Sequence, residues 1–424
     1  MIKMQRCKGF RDLTPVEMEK FRIFETAFRD CCNRWGYREI KTPTLEYLHL
    51  FTSTGTLTPK LLNRTYSFLD WDGWSGERVV MRPEGTIPAA RFYIDTVKNS
   101  GLAKYCYVNN SFVFDETGTQ NRERWQCGVE LIGAGSPVAD VELIMVAIEV
   151  LRSLKLGEVE LRLSHAGLIR ALINSLGLSA EEEAALLDRI LDGEIKALTE
   201  IKTKNNVVSR NISALMSMQG KSGSMLKNLK SLSARELPEL IRPLDDLISI
   251  VDLLENLGIK YKIDIDSGRG FEYYTGFVFR LSVKGERVGG GGRYDALIPL
   301  MSGRNIPASG FALSLDRLMN VVKTNQQYKS GVIISLPEGD NHSVKAGFTL
   351  AEILHHHGLK AEMDIGKYPP DFDWNVKIQS PSEMNLINKK NKKQYKVKSP
   401  SEILEILQNE KTSKNRSTQR PSSR

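Results

Sequence analysis

The chain has 424 residues, of which 41% are hydrophobic and 26% are charged, so its composition is that of a soluble globular protein with two or three domains. It contains no apolar run of about 18 residues, which excludes a membrane span, and its five cysteines form no CxxC pair, which favours reduced thiols in the cytoplasm. The net charge of +8 is compatible with a nucleic-acid partner, although a basic run is also typical of a solvated surface.

The N-terminal region predicts a helix followed by a strand. Residues 16–35 carry Phe21, Phe24 and Phe28 at helical spacing, between a proline and a glycine that mark the ends of the helix. Residues 37–43 then have the pattern of a strand that ends at a proline. Taken alone, these features indicate an amphipathic helix that packs on a sheet.

A tight turn at residues 82–86 (RPEGT) follows a predicted hairpin at residues 67–81 and precedes a predicted helix at residues 87–96. Glu84 and Thr86 lie on either side of the glycine in this turn. A carboxylate beside a hydroxyl complements the three N–H donors of an ammonium group. The alternative is an ordinary Pro-Glu-Gly turn with no ligand.

Residues 104–133 are the stretch around which the rest of the chain is organised. Its two halves, residues 105–115 and 124–132, are rich in aromatic and β-branched residues and are separated by polar turn residues, which predicts a long antiparallel hairpin. Gln126 and Glu130 project to the same face because side chains alternate along a strand. This face can hold a small ligand that carries an ammonium and an imidazole, or it can be a solvated polar face.

The chain then enters a mainly helical region. Residues 137–154 predict a helix and residues 159–163 a strand, and residues 165–257 are almost wholly helical in pattern. We interpret residues 165–257 as a helical insertion. It contains neither a glycine-rich phosphate loop nor histidines at metal-ligand spacing.

Two further motifs follow the insertion. Residues 260–266 predict a strand, which leads into residues 269–274 (RGFEYY); the arginine there is permanently charged and suits a bound anion, or it lies at the surface end of the strand. Four consecutive glycines at residues 289–292 let a ligand approach the backbone closely. Residues 310–318 predict a strand that runs into a helix carrying Arg317.

The C-terminal part, residues 330–408, predicts a small α/β domain, but residues 371–393 show no clear strand pattern. The consecutive histidines 355–357 lie on a predicted helix and point to different faces, so no metal site is predicted. Residues 409–424 are predicted to form a basic, disordered tail.

Five segments occur in the order found in class II histidyl-tRNA synthetases, and the chain resembles that family from residue 9 to residue 318. They are residues 9–15 (GFRDLTP), 82–86, 104–133, 269–274 and 289–318. The resemblance implies an α+β fold with a class II antiparallel sheet and helices. It also implies a core in two parts, residues 1–164 and 258–325, with a helical insertion between them. Residues 330–408 would be a degenerate anticodon-binding-like domain.

The resemblance implies that the ligand is histidine and that the chain forms a homodimer through the apolar stripe on its first helix. The residues implied to bind histidine are Glu84, Thr86, Gln126, Glu130, Arg269, Tyr273 and Tyr274. Arg269 would also be the catalytic cation of an active enzyme. The residues implied to bind a nucleotide are Arg317, Arg122 and Asp115.

One departure from the family pattern bears on whether the chain is an active synthetase or an inactive paralogue. Active members carry an arginine after the phenylalanine of the first hairpin strand, where it grips the substrate carboxylate and the α-phosphate of ATP; this chain has Val113. Ser314 also replaces the glycine beneath the adenine. We therefore expect a catalytically impaired paralogue, similar to the regulatory subunit of ATP phosphoribosyltransferase in histidine biosynthesis, with that enzyme's catalytic subunit as partner. The alternative is a divergent histidine–tRNA ligase that uses ATP and Mg²⁺ and binds histidine tRNA.

Overall fold

The protein is described from a computed structural model, which divides into two compact units, Met1–Lys323 and Thr324–Arg424. The structure describes residues 5–54, 62–71, 76–99, 101–114, 121–191, 194, 196–201, 208–210, 212–213, 223–235, 237–264, 274–322, 331–337, 340–366 and 372–417. Within these ranges, no helix is both long and apolar enough to cross a membrane.

The first unit is built on an eight-stranded sheet that is antiparallel except for one parallel pair at each edge. Its strands, in spatial order, are β1 (Arg38–Glu39), β5 (Ala103–Phe112), β6 (Glu123–Ile132), β11 (Ala308–Ser314), β10 (Glu286–Arg293), β9 (Phe277–Val283), β7 (Val159–His165) and β8 (Lys262–Ile263). The predicted hairpin is the β5–β6 pair, in register from Ala103 opposite Ile132 to Phe112 opposite Glu123.

Four helices cover one face of this sheet and enclose the main core with alternate residues of β6, β9 and β11. They are α1 (Pro15–Arg34), α4 (Pro137–Ser153), α9 (Ile241–Asn256) and α11 (Leu315–Val321). Helix α1 begins where Thr14 and Glu17 form a capping box with Pro15 in the first turn, as the sequence predicts for a helix start. These four helices leave the opposite face of the sheet, on which Gln126 and Glu130 lie, uncovered.

The apolar stripe of α1 is not at the surface. Phe21, Phe24 and Phe28 are at most 3% exposed and pack in the main core. The expectation that this stripe pairs two chains is therefore wrong, because the same side chains cover the sheet of their own chain. The strand expected at residues 37–43 is also shorter, since the carbonyls of Thr42 and Pro43 accept hydrogen bonds from the Arg82 guanidinium instead of a strand neighbour.

A smaller three-stranded sheet lies before the hairpin in the chain. In spatial order it contains β2 (Leu45–Tyr47), β4 (Gly76–Met81) and β3 (Ser67–Trp71). Helix α2 (Leu48–Thr52) follows β2, and α3 (Thr86–Thr96) begins directly after the RPEGT turn. Helix α10 (Leu297–Ser302) packs with α3 over a second core cluster that includes Tyr93 and Ile298.

Between β7 and β8 lies the mainly helical region that we interpret from the sequence as an insertion. Its described elements are α5 (Ala166–Ser175), α6 (Ala180–Leu191), α7 (Ala197–Glu200), α8 (Gly223–Ser233), a 3₁₀ turn (Pro238–Leu240) and α9. Helix α9 packs against α4, and so joins the insertion to the core behind the sheet.

The second unit is a five-stranded sheet with two helices. Its strands, in spatial order, are β13 (Lys360–Met363), β12 (Gly331–Ser335), β14 (Trp374–Ser380), β15 (Glu383–Asn388) and β16 (Gln394–Val397); the helices are α12 (Asn341–His356) and α13 (Pro400–Ser417).

Two expectations for this unit were wrong. Residues 374–380 and 383–388 do form strands, because Trp374, Val376 and Ile378 alternate into its core. Helix α13 also continues past residue 408 to Ser417, since no glycine or proline interrupts the chain before Pro421.

Candidate functional site

The open face of the central sheet brings together the side chains singled out in the sequence. Glu130 lies opposite Gly310, and Gln126 lies opposite both Ser314 on β11 and Asn109 on β5. Residues paired across neighbouring strands share a face, and every second residue along a strand returns to it. Gln126 and Glu130 therefore lie on one face, as predicted.

Glu130 is the centre of what we call the carboxylate pocket, which consists of Glu84, Thr86, Tyr107, Glu130 and Tyr294. Its side chain is almost fully buried. The Tyr107 hydroxyl donates a hydrogen bond to Oε1 at 2.8 Å, and the Tyr294 hydroxyl donates one to Oε2. Two neutral donors thus hold the carboxylate in one orientation without neutralising its charge.

Two glycines make room for this arrangement. A Cβ at Gly310 would lie 2.0 Å from Oε2 of Glu130, and a Cβ at Gly128 would lie 2.2 Å from the Tyr107 ring. Any side chain at either position would displace a group that forms the pocket. The glycines of β6 and β11 are therefore part of the site, although they contribute no functional group themselves.

Glu84 is fixed by the helix that follows it. Its Oε2 accepts a hydrogen bond from the Thr86 amide at 2.6 Å, and its Oε1 accepts one from the Ile87 amide at 2.8 Å. These amides belong to the first turn of α3, where a carboxylate is favoured by the unpaired N–H groups and the helix dipole. Each carboxylate oxygen retains a further lone pair for a ligand.

Burial makes both carboxyl groups unusually weak acids. It raises the pKa of Glu130 to about 8, and the nearby charge of Glu84 adds to this effect. Burial likewise raises the pKa of Glu84 to about 7. Two buried carboxylates close together favour a bound cation, because a positive charge offsets both their desolvation and their mutual repulsion. The pocket thus suits an ammonium or an imidazolium group.

These pKa shifts predict a pH-dependent stability. An unfolded glutamate has a pKa of about 4.5, so between about pH 4.5 and 8 the folded, ligand-free protein holds protons that the unfolded chain releases. Stability therefore falls as pH rises through this window, by up to about 1.4 kcal/mol for each unit of pKa shift. Thermal unfolding should show a lower midpoint at pH 8 than at pH 5, and Glu130→Gln should flatten this slope. If the unfolding midpoint had the same pH dependence in both proteins, Glu130 would not be the group with the raised pKa.

A groove of about 790 Å³ opens beside the pocket on the same face. Gln126, Val113 and Ser314 line it, together with three arginines, Arg124, Arg287 and Arg317. The Arg317 guanidinium donates to the Arg287 carbonyl at 2.9 Å. Such a groove can accept an anionic group, because guanidinium groups bind phosphates and carboxylates through paired N–H donors.

The wall of the groove is anchored to the N-terminal segment. Asp316 accepts hydrogen bonds from the Trp125 amide at 2.7 Å and from the Arg11 guanidinium at 2.9 Å. Ser314 caps α11 by accepting from the Arg317 amide. The position of Arg317 therefore depends on the cap formed by Ser314. It also depends on the N-terminal segment, because Arg11 holds the neighbouring residue Asp316.

The model of the histidyl-tRNA synthetase family matches residues 9–318. The chain belongs to this family. The class II fold predicted from the sequence is likewise confirmed by solved structures. An ATP phosphoribosyltransferase regulatory subunit/histidyl-tRNA synthetase from Bacillus halodurans superposes with a TM-score of 0.75 at 24% identity, over 87% of this chain and 95% of that one. A histidyl-tRNA synthetase from a Nostoc species has a TM-score of 0.73 at 17% identity, over 96% and 100%.

Within the histidyl-tRNA synthetase family, relatives of both predicted kinds are similar to this chain. A protein of Dehalococcoides mccartyi named ATP phosphoribosyltransferase regulatory subunit is 46% identical over 409 residues, which cover 96% of this chain and 98% of the relative. A histidine–tRNA ligase of Methanococcus vannielii is 32% identical over 374 residues, which cover 85% and 86%.

Not every residue implied by the family lies where it was expected. Arg122 does not line the described groove; its guanidinium stacks on Phe114, with 4.3 Å between the guanidinium carbon and the ring centre. Arg124 is the hairpin arginine that faces the groove. Tyr274 lies against Gly292, near the carboxylate pocket. Arg269, Tyr273 and Asp115 lie outside the described residues.

Tyr107, Tyr294, Arg124 and Arg287 were not among the predicted site residues. Tyr107 pairs with Gly128 across the hairpin and so lies on the same face as Gln126, which follows once the register of the hairpin is known. Arg287 reaches the groove beside a register shift between Arg287 and Gly289, which alternation alone does not predict.

Proposed function

We propose that this chain is a histidine-binding, catalytically impaired member of the family that acts as the regulatory subunit of ATP phosphoribosyltransferase. The observation that carries the proposal is the combination of an intact carboxylate pocket with Val113 at the groove. The pocket can bind the cationic groups of histidine, whereas an aliphatic side chain at Val113 cannot neutralise anions during adenylate formation. The similarity to regulatory subunits from Dehalococcoides supports this choice.

Histidine would occupy the carboxylate pocket with its two nitrogen-bearing groups at the two glutamates. The imidazole would lie at Glu130, the α-ammonium would lie near Glu84 and Thr86, and Gln126 would contact the amino acid between them. A regulatory subunit of a histidine-producing pathway would then sense the end product. Its partner would be the catalytic subunit of ATP phosphoribosyltransferase, and we place both in the cytoplasm, where the five cysteines stay reduced.

We also propose that the chain forms a homodimer, through surfaces other than the buried stripe of α1. The small sheet exposes Tyr47 and Phe68 on one face and Leu69 and Trp71 on the other, and Trp71 is 68% exposed. Exposed aromatic and aliphatic side chains that lie close together are typical of protein interfaces.

A divergent histidine–tRNA ligase is the second candidate. Arg124, Arg287 and Arg317 at the groove favour it, because they suit the phosphates of ATP with its Mg²⁺. Histidine tRNA would then be the second substrate. The two functions share the histidine pocket and differ in what the groove does.

The test is to mix the purified chain with the catalytic subunit of ATP phosphoribosyltransferase from the same organism. In analytical ultracentrifugation, we expect the chain alone to have twice the molecular mass of one chain. The mixture should have a larger sedimentation coefficient. We also expect histidine to inhibit the mixed enzyme more strongly than the catalytic subunit alone. Absence of both a complex and an effect of histidine, together with charging of histidine tRNA, would favour the ligase.

A further inference from the structure

Asn109 is a polar residue of the site face that the proposed histidine contacts do not use. It lies on β5 directly opposite Gln126, between Tyr107 of the carboxylate pocket and Ser111, which lines the groove. Strand alternation places these three β5 residues on one face. Asn109 therefore stands at the junction between pocket and groove, where it is only 7% exposed.

The side-chain carbonyl of Asn109 has no hydrogen-bond partner among the described residues. Tyr107, its neighbour on the same face, differs in this respect, because the Tyr107 hydroxyl donates to Glu130. Nearly all buried polar groups in folded proteins are hydrogen-bonded, and an exception at a binding site points to a ligand. The Asn109 Oδ1 atom is an acceptor, so the ligand group that it fits is a hydrogen-bond donor.

The charges around Asn109 identify that donor. Glu84, whose two oxygens already each accept one backbone N–H, and Glu130 make this part of the site favourable for a cation. An ammonium group has three N–H donors and needs three acceptors. A carboxylate oxygen of Glu84 and the Thr86 hydroxyl provide two, and a neutral acceptor opposite Gln126 provides the third.

We propose that Asn109 is a further ligand-binding residue of this site, and that its Oδ1 accepts a hydrogen bond from the α-ammonium group of histidine. The inference rests on the proposed histidine site. It adds Asn109 as a residue that recognises the amino group of the ligand. It predicts that the protein selects a primary amine at this position and disfavours ligands that lack one, because an unpaired buried carbonyl then remains.

The experiment compares wild-type protein with Asn109→Leu, which keeps the volume but removes the acceptor, and with Asn109→Asp, which keeps an acceptor. Calorimetry is carried out with histidine, with histamine, which lacks the carboxylate, and with imidazolepropionate, which lacks the ammonium. We expect Asn109→Leu to lower the affinity for histidine and for histamine about tenfold or more. The affinity for imidazolepropionate should change less than about twofold. Asn109→Asp should keep most of the affinity for histidine and histamine.

A second readout separates ligand binding from a structural role. Removing a buried acceptor that has no protein partner should leave the ligand-free Asn109→Leu protein at least as stable as the wild type, as measured by its thermal unfolding midpoint. A clear loss of stability in that variant would assign Asn109 to the fold instead of the ligand.

The other outcomes are also decisive. Unchanged histidine affinity in Asn109→Leu would overturn the inference while leaving the histidine site intact. If Asn109→Leu lost affinity for imidazolepropionate only, the side-chain amide would contact the ligand carboxylate. That result would overturn the proposed contact with the ammonium group. If the wild-type protein binds none of the three compounds, the proposed histidine site itself fails, and the inference fails with it.

Discussion

Pyrophosphate exchange with histidine and ATP should be absent, or lower by about a hundred- to thousandfold than in a synthetase with an intact hairpin arginine. Adenylate formation brings together the carboxylate of the amino acid and the α-phosphate of ATP, two anions. A preorganised cation between them lowers the barrier because its charge is in place before the reaction begins. Val113 lines the groove with an aliphatic side chain and contributes only a backbone amide, which is used by the Arg122 carbonyl.

The three groove arginines do not remove this expectation. Arg317 is tied to the Arg287 carbonyl at one end of the groove, and Arg124 donates to the Asn121 carbonyl at 3.2 Å. A cation that only lines the groove does not replace one held between the two reacting anions, since misplacement by about 1 Å can cost a hundredfold in rate.

Restoring the arginine provides the direct measurement. Val113→Arg should raise any residual exchange, and Val113→Leu is the matched control that adds bulk without charge. If Ser314 obstructs the adenine, only Val113→Arg combined with Ser314→Gly will help; that glycine should weaken the cap of α11 by only a few tenths of a kcal/mol. Rapid exchange by the unmodified protein, together with charging of histidine tRNA, would show that the chain is a ligase.

Removing the Glu130 carboxylate should abolish histidine binding. Glu130→Gln keeps the shape of the side chain, but it removes the buried charge that faces the imidazole and disturbs the hydrogen bonds with Tyr107 and Tyr294. Loss of one partner from a buried, charged hydrogen bond costs roughly 2–5 kcal/mol, which corresponds to about thirtyfold to several thousandfold in affinity. Calorimetry should detect binding of histidine, but not of alanine or lysine, to the wild-type protein and no binding of histidine to the variant.

Glu149→Gln is a suitable control for this experiment. Glu149 is a half-buried residue of α4 that accepts hydrogen bonds from Arg34 and from the Trp35 indole, on the face of the sheet opposite the carboxylate pocket. The substitution makes the same chemical change, and histidine affinity should stay as in the wild type. Equal affinity in Glu130→Gln would remove Glu130 from the ligand contacts.

Local patterns predicted much of the site. The alternation of β6 placed Gln126 and Glu130 on one face, and the RPEGT turn placed Glu84 and Thr86 at the start of a helix. These features depend on neighbours within a few residues, where strand and turn rules are strong. The family resemblance then indicated that segments far apart in the sequence belong to one site, because they occur in the order found in the family.

Contacts between distant segments were harder to predict. Tyr294 reaches Glu130 across 164 positions in the chain, and nothing in the local sequence of either residue indicates this pairing. The phenylalanine stripe of α1 has the same sequence pattern whether it faces a partner chain or its own sheet, so only the fold decides between them. Strand β14 was missed although the alternation of Trp374, Val376 and Ile378 was present in the sequence.

The hydrogen bonds of Glu84 connect the carboxylate pocket to the start of α3. Because both oxygens of Glu84 hold the first amides of α3, any ligand that changes the charge of this carboxylate acts on the start of that helix. One turn further, the Arg91 guanidinium donates to both oxygens of Glu46 on β2, at 3.0 and 2.8 Å. Strand β2 pairs with β4, and β4 pairs with the apolar outer strand β3. The carboxylate pocket is thus linked by an unbroken series of hydrogen bonds and strand pairings to the exposed strand β3.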